Sequence, residues 1–186
     1  TYIHPNKEVL FQDLTLIVNK QDKIALIGNN GSGKSTILKI IAGELTLQSG
    51  TLSTDDKPYY IPQSLNQYND LSIAEALGVA GKLNALHAIL QGDVSAENME
   101  ILHDDWTLEE RCEQALATWN IADLDLNRKM DSLSGGQKTK VFLAGIDMNE
   151  ASFILMDEPS NHLDRRSRAQ LYDFIEKTNK TILLVS

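Results

Sequence analysis

Short apolar runs and alternating apolar positions predict the strands of this chain. Leu14, Leu16 and Val18 alternate with Thr15, Ile17 and Asn19, which is typical of a strand with at least one well-buried face. Lys23–Ile27 is a short apolar run that ends at Gly28, the pattern of a buried strand. Further strands are predicted at Thr51–Ser53, Tyr59–Ile61, Phe153–Met156 and Thr181–Val185.

Apolar residues at spacings of three and four predict the helices. One helix begins at Lys34 and ends near Gly43, and others cover Ser134–Ile146 and Arg166–Glu176. Residues 72–130 are mostly helical by the same criterion. Because strands alternate with helices at each end of the chain, we expect an α/β fold with a largely parallel sheet, which the helical block interrupts as a subdomain.

Length, composition and charge narrow the class of protein. The 186 residues fit one domain, and no apolar run approaches the 20 or so residues of a membrane span. The N-terminus lacks the layout of a signal peptide, and the single Cys112 fits a reducing cytosol, so we expect a cytoplasmic protein. Gly92–Asp125 holds ten acidic residues and one basic residue, matching the net charge of −9. We interpret it as a solvated helix face and expect no direct nucleic-acid binding by this chain.

A glycine-rich stretch lies between a predicted strand and a predicted helix. Gly28–Ser35, here called the phosphate loop, matches G-x-x-x-x-G-K-[ST]. Glycines let backbone N–H groups turn around a phosphate, and the following helix N-terminus favours negative charge. Lys34 would contact the β- and γ-phosphates, and Ser35 would complete a magnesium shell. The expected nucleotide contacts are Asn29, Asn30, Gly31, Ser32, Gly33, Lys34, Ser35 and Thr36.

Two carboxylates follow the predicted strand Phe153–Met156. We expect Asp157 at the strand end to hold Mg²⁺ together with Ser35. Because side chains alternate along an extended chain, Glu158 should point elsewhere, where it can orient or deprotonate the attacking water. Pro159 then ends the strand. ATP and Mg²⁺ are therefore the predicted cofactors.

A third motif, Leu-Ser-Gly-Gly-Gln at Leu133–Gln137, stands before a helix and is here called the signature. With the phosphate loop and the Asp-Glu strand end, it resembles the ABC ATPase family over essentially the whole chain. The resemblance implies a P-loop NTPase fold of ABC type, with a largely parallel sheet core, an antiparallel N-terminal β part and an inserted helical subdomain. It implies one nucleotide-binding domain, 1–186, divided as follows: 1–63, the β part with the phosphate loop; 64–132, the helical subdomain; 133–186, the signature helix, the Asp-Glu strand and the D-loop.

The resemblance assigns further roles. Gln63 falls at the family's Q-loop, where a glutamine senses magnesium and the attacking water, and Ser160–Asp164 falls at the D-loop. Two such domains meet head to tail in this family, so the signature would contact the partner's ATP, and an isolated monomer would hydrolyse poorly. The signature residues that this implies are Ser134, Gly135, Gly136 and Gln137.

The stretch Glu158–Asp164 resembles the ABC-F group, whose soluble members carry two ABC domains and act on ribosomes. A ribosome reached through regions outside this chain is therefore one expected partner. The alternative is the motor subunit of a membrane transporter, with a membrane subunit as partner. A third hypothesis is a nucleotide-dependent clamp without turnover, which retention of Glu158 disfavours. The block of about 70 residues from Gln63 to Leu133 leaves no room for a long coiled coil.

Three positions depart from the family pattern. His4 stands where the family stacks an aromatic residue on adenine, with Tyr2 as the alternative. Lys140 replaces a common arginine, which keeps the charge without the bidentate geometry. None of the four histidines stands at the position of the family's switch histidine. We therefore expect a domain incomplete at its C-terminus, with slow or absent turnover on its own.

Overall fold

The computed structural model describes residues 2–3, 9–11 and 13–186. Two compact units are present. The sheet unit holds the described residues up to Gln63, Ala151–Asn161 and Arg165–Ser186; the helical unit holds Ser64–Glu150 and His162–Asp164. The strands are β1 (Tyr2–Ile3), β2 (Val9–Phe11), β3 (Lys23–Leu26), β4 (Tyr59–Ile61), β5 (Phe153–Asp157) and β6 (Thr181–Val185). The helices are α1 (Lys34–Ile41), α2 (Ile73–Ala76), α3 (Ala80–Leu90), α4 (Ala96–Leu102), α5 (Leu108–Thr118), α6 (Gly135–Met148) and α7 (Arg165–Lys177), with 3₁₀ turns at Asn66–Tyr68 and Met130–Ser132.

The sheet unit is built on four parallel strands in the order β3-β6-β5-β4. Parallel sheets bury both faces, which explains the continuous apolar sequences of β5 and β6. Leu38 of α1 packs with Leu155, Leu183 and Val185 in the core of this unit. The predicted parallel sheet is confirmed. Its geometry brings the carboxyl ends of β4 and β5 to one edge, since Ile61 pairs with Met156.

Two predicted strands are wrong. Residues 14–18 and 51–53 form no regular secondary structure. Leu14 is 50% exposed and Leu16 is 37% exposed, so the alternating apolar residues do not form a buried face. Ile17, on the other side of the alternation, is 73% exposed. Alternation indicates that a segment is amphipathic, but a strand also needs a neighbour to complete its hydrogen bonds. The antiparallel part near the N-terminus consists of the short pair β1–β2.

The helical unit is held by two helix pairs. α3 packs on α4, where Ala85, Leu86, Ile89 and Leu102 form a buried cluster. α5 packs on α6, most of whose side chains are buried. Because α6 is held by α5, this unit extends through Glu150, whereas the sequence-based division placed a boundary at residue 132. Segment 133–186 is thus shared: α6 lies in the helical unit, and β5, α7 and β6 lie in the sheet unit.

Within the described part of the chain, no helix has the length and apolar character that crossing a membrane requires.

Candidate nucleotide-binding site

The phosphate loop connects β3 to α1, as predicted. Gly31 and Gly33 have φ values of 82° and 89°, a left-handed conformation that glycine adopts without steric cost. A Cβ on Gly33 would lie 2.9 Å from the side chain of Leu10 in β2, which is a second reason for glycine at this position. No side chain caps the start of α1. The first N–H groups of this helix are therefore available to an anion.

Lys34 is hydrogen-bonded to the backbone of the phosphate loop. Its Nζ donates hydrogen bonds to the carbonyl oxygens of Gly28 at 2.7 Å and Asn29 at 3.2 Å. These contacts hold the ammonium beside the loop at the N-terminus of α1. Both the ammonium and the helix dipole place positive charge there, which suits a polyphosphate.

Asp157 is brought next to the phosphate-loop helix by the sheet. It ends β5, between β6 and β4, and is only 2% exposed. Ser35 Oγ donates a hydrogen bond to Asp157 Oδ1 at 3.0 Å, and the Tyr60 hydroxyl lies 3.5 Å from Oδ2. Sequence reasoning paired Ser35 with Asp157 but missed Tyr60. The strand alternation of Tyr59–Ile61 could have suggested that one tyrosine shares a face with this carboxylate.

The donor set at Asp157 fits magnesium. Mg²⁺ binds through one or two carboxylates together with waters and substrate phosphates rather than in an all-protein cage. Ser35 Oγ and Asp157 Oδ1 are two hard oxygen donors at hydrogen-bond distance. Among the described residues there is no cluster of three or more His, Cys, Asp or Glu suited to a metal. Ser35 and Asp157 would supply two protein ligands to Mg²⁺, and waters and substrate phosphates could fill the other positions.

Glu158 occupies a constrained turn. Its φ is 51°, a left-handed conformation that costs a non-glycine residue about 1–2 kcal/mol. Two hydrogen bonds hold it: its N–H donates to the carbonyl oxygen of Val185 at 3.1 Å, and its own carbonyl accepts from the N–H of Asn161 at 3.3 Å. Sequence reasoning separated the two carboxylates by strand alternation. In the structure β5 ends at Asp157, so this turn sets the position of Glu158 instead.

Gln63 follows the carboxyl end of β4 by two residues and is exposed. It lies beyond the same sheet edge as Asp157, because β4 and β5 are parallel and in register.

Tyr2, the alternative candidate for adenine, is buried, and its ring stacks on Phe11 with centroids 5.8 Å apart. His4 lies outside the described residues.

The signature belongs to the helical unit and begins α6. Ser134 Oγ accepts a hydrogen bond from the Gln137 N–H at 3.3 Å, and Gln137 Oε1 accepts from the Ser134 N–H at 3.0 Å. This reciprocal capping box places both polar side chains on the backbone of their own helix. The intervening Gly135 and Gly136 contribute only their backbone N–H groups to this helix start.

A parallel sheet in which a strand–glycine loop–helix element meets an acidic strand end defines a P-loop nucleotide-binding domain. A family model described as "ABC transporter" matches residues 11–161. The chain therefore belongs to this family, as an ATPase nucleotide-binding domain.

Relatives within the family are named for different roles. The chain is 30% identical to the energy-coupling factor transporter ATP-binding protein EcfA1 of Latilactobacillus sakei, covering 100% of this chain and 66% of that protein. It is 28% identical to the energy-dependent translational throttle protein EttA of Haemophilus influenzae, covering 98% of this chain and 36% of that protein. The first curated relatives matched are longer still, since the chain spans 30% of one protein and 27% of the next.

A solved structure shares the fold and carries a nucleotide. The ATP-binding cassette MJ0796, described as dimeric and bound to ADP and Pi, is 25% identical with a TM-score of 0.65. The match covers 95% of this chain and 79% of that one.

Proposed function

We propose that this chain binds ATP with Mg²⁺ at the phosphate loop and forms the ATP-hydrolysing site of an ABC-F-type protein. The observation that carries the proposal is the hydrogen bond between Ser35 Oγ and buried Asp157 Oδ1, 122 residues apart in the chain. A structural serine–aspartate pair would need no glycine loop or lysine beside it. Here Lys34 and the uncapped start of α1 adjoin the same pair.

Each group has a distinct task in this proposal. The loop N–H groups, from Asn29 to Thr36, and Lys34 bind and orient the phosphates. Ser35 and Asp157 hold Mg²⁺, which supplies charge neutralisation when it is bound. Glu158, fixed in its turn, accepts a proton from the attacking water or orients it, and Gln63 contributes to sensing this water and the metal. His4 remains the proposed adenine contact.

Turnover requires a second ABC domain in this proposal. Ser134, Gly135, Gly136 and Gln137 would contact the nucleotide of that domain, supplied by another copy or by the same parent chain. The backbone N–H groups at the start of α6 suit a phosphate, because they combine donors with the positive end of a helix. The chain on its own is then weakly active or inactive.

The D-loop stretch Ser160–Asp164 and the similarity to EttA support the ABC-F assignment, with a ribosome as the partner of the whole protein. The similarity to EcfA1 favours the second candidate, the motor subunit of a membrane transporter. Both candidates predict the same nucleotide chemistry and differ in the partner that they engage.

Calorimetric titration tests the nucleotide site directly. Lys34→Ala should weaken binding of Mg·ATP by about 10- to 100-fold, as expected for one charged contact worth 1.5–3 kcal/mol. Lys39→Ala, in the last turn of the same helix, is the matched control and should bind normally. Equal affinities for the two variants would refute the site.

The partner is tested with the full-length protein. Carrying Glu158→Gln and saturated with ATP, it should co-sediment with purified ribosomes, and it should not do so with ADP. A stable complex with a purified membrane subunit, together with no ribosome binding, would favour the transporter.

A further inference from the structure

The start of α6 lies unusually close to the D-loop of its own chain. A Cβ built on Gly136 would lie 2.8 Å from the carbonyl oxygen of His162. Cβ atoms essentially never approach a backbone oxygen so closely, so a side chain at 136 requires one of the two backbones to move. At Gly135 an added Cβ would meet the His162 imidazole at 3.5–3.6 Å, an ordinary van der Waals distance.

Both sides of this contact are anchored by burial or hydrogen bonds. Leu163, the residue after His162, is 4% exposed in the helical unit and anchors the D-loop there. The first turn of α6 is fixed by its capping box. It is also held by Lys138, which is 8% exposed and donates a hydrogen bond to Asn69 Oδ1. A side chain at position 136 would therefore press on a rigid neighbour.

We propose that His162 is a positioning residue. Its carbonyl oxygen packs against Gly136, where no side chain is present, and this contact fixes the D-loop on the signature. Only the three residues His162–Asp164 of the β5–α7 connection belong to the helical unit, while Asn161 and Arg165 belong to the sheet unit. The proposal rests on the function assigned above to Glu158 and to the signature. In this proposal the contact fixes His162, four residues after Glu158 in the same loop. A side chain at position 136 would displace His162 and therefore alter the loop that carries Glu158.

The same contact gives Gly136 a role within one chain, in addition to any contact with a nucleotide. If glycine were needed only for a nucleotide, alanine would be harmless in nucleotide-free protein. Alanine has the higher helix propensity, so without a clash both Gly135→Ala and Gly136→Ala would raise the melting temperature slightly.

Thermal unfolding of the nucleotide-free, full-length protein separates these cases. Gly136→Ala should lower the Tm of the transition that includes this domain by about 5 °C, the scale of an overpacked core position in a domain of this size. Gly135→Ala should leave this Tm unchanged or slightly raised. An equal Tm for the two variants would overturn the proposal.

A second substitution tests whether the His162 backbone is the element displaced. His162→Gly gives that backbone room to move, so adding Gly136→Ala in this background should cost less Tm and less kcat than it does in the wild type. If Gly136→Ala alone does not fold, recovery of folding in the double variant supports the contact. An identical cost in both backgrounds, or no recovery, would overturn it.

Turnover distinguishes positioning from a purely structural role. At a temperature where Gly136→Ala is fully folded, we expect kcat to fall by at least tenfold while Kd for Mg·ATP at the phosphate loop stays within twofold. An unchanged kcat would overturn the positioning role. Failure of the proposed function would be visible elsewhere, as normal ATP binding by Lys34→Ala, and the paired Tm measurement does not depend on that outcome.

Discussion

The phosphate loop and the signature are two glycine-containing helix starts that are built in opposite ways. The phosphate-loop site combines residues distant in sequence, since Ser35 and Asp157 are 122 residues apart, and it includes one basic and one acidic residue, Lys34 and Asp157. The signature is local: Ser134 and Gln137 are three residues apart and bind each other's backbone. The first site therefore depends on assembly of the sheet. The second depends on how one helix begins and on what lies against its glycines.

This difference predicts where substitutions act. A change in a charged side chain of the phosphate-loop site should alter nucleotide chemistry with little effect on folding of the helical unit. A change in a buried, hydrogen-bonded charged side chain of the helical unit should alter stability and leave nucleotide binding by the phosphate loop intact. Three predictions test this contrast, in order of decreasing expected effect.

The largest effect is expected at Asp157. In Asp157→Asn the pairing with Ser35 can persist, but the charge that would hold Mg²⁺ is lost, so Mg²⁺-dependent turnover of the full-length protein should fall at least about 100-fold. Steady-state assays across a Mg²⁺ titration measure this loss. Asp123→Asn, an exposed position of the helical unit, should behave as wild type. A normal Mg²⁺ response in Asp157→Asn would contradict the metal assignment.

Glu158→Gln should reduce turnover by a similar or slightly smaller factor, about 10²-fold or more, because general-base assistance is lost while the shape of the residue is kept. Affinity for ATP should stay within twofold of wild type. Glu150 provides a matched control: it is the same residue type in the same left-handed conformation, with φ 50°, at the end of the helical unit. Normal turnover in Glu158→Gln would remove this carboxylate from the mechanism.

The smallest effect is expected from the charged network of the helical unit. Burial raises the pKa of Asp105, but hydrogen bonds from Lys82 and Arg111 outweigh this, and the net pKa is lower than usual. A depressed pKa stabilises the folded state above the ordinary carboxyl pKa, and this stabilisation is lost as the pH falls through the lowered value. Asp105→Asn should therefore reduce the free energy of unfolding at pH 7 by about 2 kcal/mol.

Denaturation at several pH values measures this difference, which should shrink towards zero as Asp105 of the wild type becomes protonated in acid. ATP affinity at pH 7 should be unchanged. If the difference in the free energy of unfolding did not depend on pH, the effect would be assigned to packing. A loss of ATP binding would contradict the expectation that this substitution leaves the nucleotide site intact.

Much of the candidate site could be predicted from sequence because its chemistry is carried by short motifs on predictable elements. The phosphate loop lies between β3 and α1, and Asp157 ends a strand whose apolar run is unmistakable. Parallel neighbours bring strand ends to one edge, so the pairing of Ser35 with Asp157 followed from the two motifs together with the fold class.

What sequence reasoning missed depends on long-range geometry. The approach of Leu10 to Gly33 and of His162 to Gly136 involves residues that no local spacing relates. The strand predicted over 14–18 failed because alternation does not reveal whether a neighbouring strand exists. The left-handed turn at Glu158 was not predicted either, because strand alternation does not reveal that β5 ends at Asp157.

The sheet order has a consequence for synthesis of this chain. β3, which leads into the phosphate loop, pairs with β6, so Lys23 finds its partner only at Ile182. At translation rates of about 5–20 residues per second, the ribosome needs roughly 8–30 s between these positions. During that interval β3 lacks its β6 neighbour, and for most of it Asp157 has not yet been synthesised either. The nucleotide site is therefore expected to be among the last parts of the domain to form, and nascent chains halted before β5 should not yet retain ATP.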